Sequence, residues 1–235
     1  MLNKNLYDNY VSTLSEMSEK IPHYDDHNIM VVNEVVKGDC YQVKKCVEQS
    51  KTYDILIDVG SNIGTVSLMF LTNNVCNYSY CIESDKNFSK IHKNMNKYYN
   101  LDDKCTIENL FVDNNSSDVV SNIIEKNKEK RILLKMDIEG YEFYILDDLL
   151  KKNLFKYVTD FVIEIHENKH IPDINTTLKQ YKWIEPYKEN ISKNREMLEN
   201  LLNKISNSMG KNFSDIEHFE MGQNYDYILG TVTTI

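Results

Sequence analysis

Residues 53–68 read YDILIDVGSNIGTVSL, a run that is apolar up to Asp58-Val59-Gly60 and turns apolar again just past Gly64. A buried strand that ends at a glycine and passes within a few residues into a helix is the opening unit of a parallel α/β sheet. Gly60 permits a backbone conformation that a side chain obstructs, and Gly64 lets a ligand or the strand come close to the first helical turn. Asn62 is placed to cap that helix or to contact a ligand. The spacing is G-x-x-x-G, without the G-x-G-x-x-G that cradles a dinucleotide pyrophosphate, and no Gly-Lys-Ser/Thr follows it. The turn therefore favours a ligand that lacks phosphates.

Outward from this unit, short apolar runs alternate with helical stretches, the signature of successive βαβ crossovers. Strands are expected at 53–59, 78–83, 105–112, 131–137 and 158–166, and helices near 63–73, 86–99, 117–129 and 141–152. This predicts an α/β, Rossmann-like fold: a mostly parallel seven-stranded sheet with helices on both faces. Residues 51–235 would form that domain and residues 1–50 an extension, the whole making one compact unit. In the extension, Leu2, Leu6, Tyr10, Leu14 and Met17 predict a helix over 2–19, whose stripe covers the core, a dimer contact or a lid. IMVVNEVV (29–36) and YQVKKCV (41–47) flank Lys37-Gly38-Asp39 and predict a hairpin. Beyond the fifth strand a short helix is expected after Pro172 and a longer one from Pro186 to before Gly210. FSDIEHFE (213–220) and NYDYILGTV (224–232) predict a terminal hairpin.

The net charge of −9 argues against duplex nucleic acid as the partner, because phosphate binding draws on Lys and Arg. A neutral or cationic small molecule or glycan fits better. The five cysteines, Cys40, Cys46, Cys76, Cys81 and Cys105, form no C-x-x-C pair and have no His at zinc spacing, so they read as reduced thiols. With no run of 18 apolar residues and no signal-like N-terminus, neither a membrane nor export is expected, and the reading is cytoplasmic.

Two sets of residues carry chemistry. Glu83 closes the second strand 19 residues beyond Gly64, the distance at which a carboxylate accepts from both hydroxyls of a ribose. Together with Asp58 facing an amino-acid end, this describes a site for S-adenosyl-L-methionine, which has a ribose diol and an ammonium but no phosphate; a nicotinamide cofactor remains a weaker alternative. The second set ends two neighbouring strands. RILLKMDIEGYEFYIL (131–146) carries Lys135, Asp137 and Glu139, and FVIEIHE (161–167) carries Glu164 and His166. Alternate residues of a strand share a face, so these groups fall within reach of one pocket. Methyl transfer needs an aligned acceptor and a base, and His166, near its ordinary pKa, is the expected base. Glu142, Asp147 and Asp148 read as first-turn or surface charges of the helix. The same ligand types suit Mg²⁺ or Mn²⁺, although nothing in the spacing demands a metal.

IDVGSNIGTVSL (57–68), IESDKNFSKIHKNM (82–95), LLKMDIEGYEFYIL (133–146) and VIEIHE (162–167) together resemble the FkbM family of S-adenosylmethionine-dependent methyltransferases, and the terminal YDYIL resembles that family's last strand. The resemblance implies a class I methyltransferase fold and O-methylation of sugars or other secondary metabolites. It implies that Asp58, Gly60, Ser61, Asn62 and Gly64 form the cofactor loop, Glu83 and Ser84 follow at the ribose, and Phe111 to Asp113 lie near adenine. Asp137 and Glu139 would line the transfer site. Ser61 stands where Ala is usual, and Ser84 where Pro often follows the acid. The acceptor pocket would come from the N-terminal hairpin, the segment after His166 and the 186–207 helix, with Tyr41, Trp183 and Tyr187 as an aromatic wall. N-methylation, or a non-catalytic cofactor-binding subunit, are the rival readings.

Overall fold

The computed structural model describes residues 30–113, 116–166, 191–219 and 228–235. They fall in two compact units, one within Met1–Phe111 joined by Ile235 and the other within Val112–Thr234. The helix expected over 2–19, the one after Pro172, and the side chains of Trp183 and Tyr187 lie outside the described residues. No helix among the described residues is long and apolar enough to cross a membrane.

In the first unit three strands, β1 (Tyr53–Val59), β2 (Cys76–Glu83) and β3 (Cys105–Asn109), run parallel in the order β3-β2-β1. The third is shorter than expected and stops at Asn109. Before β1 the expected hairpin is not a hairpin. Residues 30–32 are helical, Asn33–Lys37 forms a π-helical turn, and α1 spans Val43–Glu48. The valines suggested strands, but the buried positions Val32, Val35, Val36 and then Val43, Cys46 recur at three and four residues, which is a helix face. The Lys37-Gly38-Asp39 turn survives between two helical pieces: Asp39 takes a positive φ of 53°, and its carboxylate accepts from the Lys44 backbone N–H at 3.0 Å. Tyr41 is buried there and belongs to the core, so it does not form a wall for an acceptor.

Two helices connect the parallel strands. The first, α2 (Thr65–Thr72), is buried on every side from Thr65 to Leu71, which explains its all-round apolar sequence. Burying Leu68, Met69 and Phe70 contributes about 1.5–3 kcal/mol each. The second, α3 (Lys86–Tyr98), is amphipathic and starts at Asp85, whose carboxylate accepts from Asn87 N at 2.6 Å and Phe88 N at 3.1 Å.

In the second unit β4 (Ile132–Met136) and β5 (Val158–His166) are parallel, and β6 (Glu217–Phe219) and β7 (Ile228–Thr233) complete the order β4-β5-β7-β6 with antiparallel pairings. Thus the terminal hairpin is present, although its first strand begins only at Glu217. Residues Phe213–Asp215 make a 3-10 turn instead, closed by a reciprocal capping box between Asn212 and Asp215. The helices are α4 (Asp118–Lys126), α5 (Glu142–Lys151) and α6 (Ile191–Met209), the last stopped at Gly210 with φ +68°. Past that stop, Lys211 Nζ reaches Asp160 Oδ1 on β5 at 2.6 Å and ties the end of the helix to the sheet. The seven strands, mostly parallel and linked by helices, are an α/β, Rossmann-like fold as the sequence predicts.

Candidate functional site

The loop from β1 to α2 is shaped by three left-handed residues in alternation: Gly60 (φ 75°), Asn62 (φ 50°) and Gly64 (φ 84°). Gly60 N and Ser61 N both donate to Ile82 O, at 2.9 and 3.0 Å, so the loop is pinned to the neighbouring strand. Glu83, which is buried, then closes the loop from the end of β2: its Oε2 accepts from Asn62 N at 2.7 Å and its Oε1 from Asp85 N at 2.7 Å. Ser84 is exposed and its hydroxyl donates weakly to Glu83 Oε1 at 3.4 Å. Asp58 is fully buried and accepts from Ser67 Oγ at 2.6 Å, which braces the first turns of α2 from below. The hydroxyls Ser61 Oγ and Thr65 Oγ1 are buried without a hydrogen-bond partner among the described residues. Phe111 presents an exposed ring beyond β3, and Asp113 makes a local turn with Ser116.

Three residues of this unit do work that the sequence reading did not assign. Asn109 donates from Nδ2 to Glu83 O at 2.8 Å and Ser84 O at 2.9 Å, fixing the end of β2. His92, buried on α3, lies so close over Gly64 that a Cβ at that glycine would overlap its ring. Gly64 is therefore demanded by its positive φ and by the ring of His92. Cys105 takes a hydrogen bond from Cys81 that, with help from His92 and against burial, draws its thiol below the usual range.

The second cluster lies wholly within the second unit and gathers the expected Asp137, Glu139 and Glu164 around the ring of His166. His166 Nε2 stands 3.4 Å from Glu164 Oε1, 3.7 Å from Glu139 Oε2 and 3.9 Å from Asp137 Oδ1. Nδ1 is 2.8 Å from Glu142 Oε1. The β4–α5 turn that delivers these acids needs a positive φ at Glu139 (56°) and at Gly140 (100°). Glu142 is not the surface charge that its place in the first helical turn suggested. It is fully buried, and Oε1 also accepts from Ile138 N at 2.9 Å and Gly140 N at 3.2 Å, so it holds both the turn and the imidazole. Asp147 and Asp148 do pair at the helix surface, with Lys151 at 2.5 Å and Lys152 at 2.9 Å. Lys135 is buried with Nζ 3.9 Å from Asp137 Oδ2.

This setting overturns the expectation of an imidazole near its ordinary pKa. Burial alone would push the imidazolium down, but the hydrogen bonds to Glu142 and Glu164 and the charges of Glu142 and Asp137 outweigh it and hold the pKa up to about 11. At neutral pH His166 is a cation with both nitrogens donating, and it cannot take a further proton. Glu164 moves the other way from an ordinary carboxylate: burial pushes it up, with His166 opposing and Asp137 adding to the rise. Asp137, Glu139 and His166 bring ligand atoms within 4.8 Å of one another, but a metal there would have to displace the proton that Glu142, Glu164 and Asp137 stabilise.

A consequence for stability follows. The folded pKa of His166 stands above its unfolded value of about 6.5, so the contribution is complete below that pH and is lost as pH rises toward 11. Urea unfolding at about pH 7 and about pH 9.5 should show the unmodified chain losing more stability than His166→Gln. The difference is at most about 1.4 kcal/mol per pH unit, and equal losses would contradict a protonated His166.

The sequence matches no family model. It likewise matches no curated protein. Among solved structures, similar chains include a Klebsiella pneumoniae protein described as an O-methyltransferase, with 9% identity, TM-score 0.47 and coverage of 98% of this chain and 89% of that one. Another is the methyltransferase domain of a bacterial Hen1, with 13% identity, TM-score 0.46 and coverage of 86% and 97%. A third is M. capricolum TrmK in complex with S-adenosyl-homocysteine, with 12% identity, TM-score 0.42 and coverage of 83% and 68%. At these identities and scores they carry no argument about activity, so what the chain does must be argued from its own residues.

Proposed function

We propose that this chain is an S-adenosylmethionine-dependent methyltransferase that acts on a hydroxyl group. The observation that carries the reading is the left-handed Gly60-Asn62-Gly64 turn closed onto the buried carboxylate of Glu83. The residues present suit the cofactor. Glu83 Oε2 accepts one short backbone N–H bond and keeps a lone pair for a ribose hydroxyl, and Oε1 accepts one short backbone bond and a long one from Ser84 Oγ that a second ribose hydroxyl can replace. Ser61 Oγ and Thr65 Oγ1 are buried polar atoms in want of a partner, a condition a bound polar ligand relieves. The loop offers none of the phosphate-cradling pattern of a dinucleotide site. Glu83 would hold the ribose and the glycine loop the amino-acid end, and the family resemblance puts Phe111 and Asp113 near adenine.

Bound there, the cofactor supplies an electrophilic methyl group on a sulfonium. The chain's own task is to orient the acceptor and remove its proton. With His166 held as a cation, that proton goes to a carboxylate. Glu164 has the raised affinity for a proton that a base requires, and Asp137 stands beside it. His166 then acts as a positioning residue that fixes both carboxylates, and Glu142 fixes His166. The acceptor class, a sugar or glycan hydroxyl, rests on the FkbM resemblance of the four quoted segments.

Formation of S-adenosylhomocysteine should be followed with a panel of nucleotide sugars, glycans and amines. Turnover with a hydroxyl acceptor is expected, and Glu164→Gln should keep cofactor binding while lowering turnover about 10²-fold. An unchanged rate in Glu164→Gln would remove the base assignment. Turnover with amines alone would turn the reading to N-methylation. Added Mg²⁺ or Mn²⁺ should leave the rate unchanged.

A further inference from the structure

We propose that Cys81, Cys105 and His92 form a binding site for one thiophilic divalent cation, zinc being the best fit, beneath the glycine loop of the first unit. These residues come from β2, β3 and α3, and their ligand atoms all lie within 4.8 Å of one another. Cys81 Sγ is 3.5 Å from Cys105 Sγ, and Cys105 Sγ is 3.9 Å from His92 Nε2. Zinc bonds of about 2.3 Å to sulfur and about 2.0–2.1 Å to nitrogen separate tetrahedral ligands by roughly 3.5–3.8 Å, so the three donors need only small shifts to close on an ion. Two cysteines and a histidine are also the donor set zinc prefers over Mg²⁺ or Ca²⁺.

Further observations point to a ligand and not to an ordinary core. Asn96 Oδ1, beside the cluster, is buried and has no hydrogen-bond partner among the described residues, an uncommon state in a packed interior. Asn96 follows His92 by one helical turn on the same face of α3, and its side chain reaches Cys105. That bond lowers the thiol and so comes from the amide nitrogen, which makes Asn96 a residue that orients the Cys105 sulfur. Around the sulfur of Cys81, the hydroxyl of Ser79 at 3.0 Å supplies an outer hydrogen bond that orients a thiolate ligand. A disulfide accounts for the pair less well. Cys105 lies opposite Ser79, two residues out of register with Cys81, and the two sulfurs stand 3.5 Å apart, well beyond the length of about 2.05 Å of a disulfide bond. That separation is close to the spacing of two thiolates on one zinc ion.

The site touches the loop through its histidine. The His92 ring packs on Gly64, and Ser67, beside Cys81, bonds to Asp58. Occupancy would therefore lock the ring against which the glycine turn is built. The proposal stands apart from the methyltransferase reading and does not depend on it.

The test is a titration of the full chain, reduced with a phosphine and freed of metal, with Co²⁺. A thiolate-to-cobalt charge-transfer band that saturates near one equivalent and is displaced by Zn²⁺ is expected. Cys105→Ser should weaken binding about 100-fold, whereas Cys40→Ser, outside the cluster, should leave it unchanged. X-ray absorption of the zinc-loaded unmodified chain, which needs no variant, should show two sulfurs and a nitrogen in the shell. A folded chain without the band, a band unchanged in Cys105→Ser, or a shell of oxygens alone would overturn the site.

Discussion

Glu142→Ala is expected to destabilise the native state by about 3–5 kcal/mol, the largest loss of any single side chain in the acidic cluster. Its carboxylate is fully buried and accepts from Ile138 N, Gly140 N and His166 Nδ1. Truncation leaves two backbone donors and a buried imidazolium facing a void. Glu142→Gln keeps the shape but gives up the charge, so the loss should be smaller and His166 should titrate at lower pH, as followed by NMR of its ring protons. A cost below about 1 kcal/mol for the alanine variant would mean that His166 is neutral and Glu142 a spectator.

Gly64→Ala is expected to cost about 2–5 kcal/mol, from about 1–2 for a left-handed alanine and about 1–3 for overlap with the ring of His92. The two sources separate in a double-mutant cycle. His92→Ala removes the ring, so Gly64→Ala should be less costly in that background by the overlap share. Additive losses would contradict the packing of His92 on the turn. Since the same turn is proposed to hold the cofactor, the single variant should also lose cofactor affinity more than global stability explains.

The strands that carry both sites were legible because each is a short apolar run bounded by polar residues or glycine, and Tyr53–Val59 and Val158–His166 end where the pattern ends. In the N-terminal segment valine favours strands locally, while the spacing of Val32, Val35 and Val36 reports the helix that packing selects. The burial of Glu142 is hidden from the sequence for a different reason. Sequence position puts it in the first turn of a helix but does not say that the Ile138–Gly140 turn folds over it. The charge of His166 depends on partners up to 29 residues away, counting back to Asp137, so no local pattern encodes it. Likewise Cys81, His92 and Cys105, separated by 11 and 13 residues, match no compact metal motif and meet only once α3 crosses from β2 to β3.

Calorimetric titration of the chain with S-adenosylmethionine tests the central claim most directly. One-to-one binding is expected, weakened about 100-fold or more by Glu83→Ala, which removes the acceptor of two ribose hydrogen bonds worth about 1.5–3 kcal/mol each. No binding by the folded, unmodified chain, or binding that Glu83→Ala leaves unchanged, would contradict it.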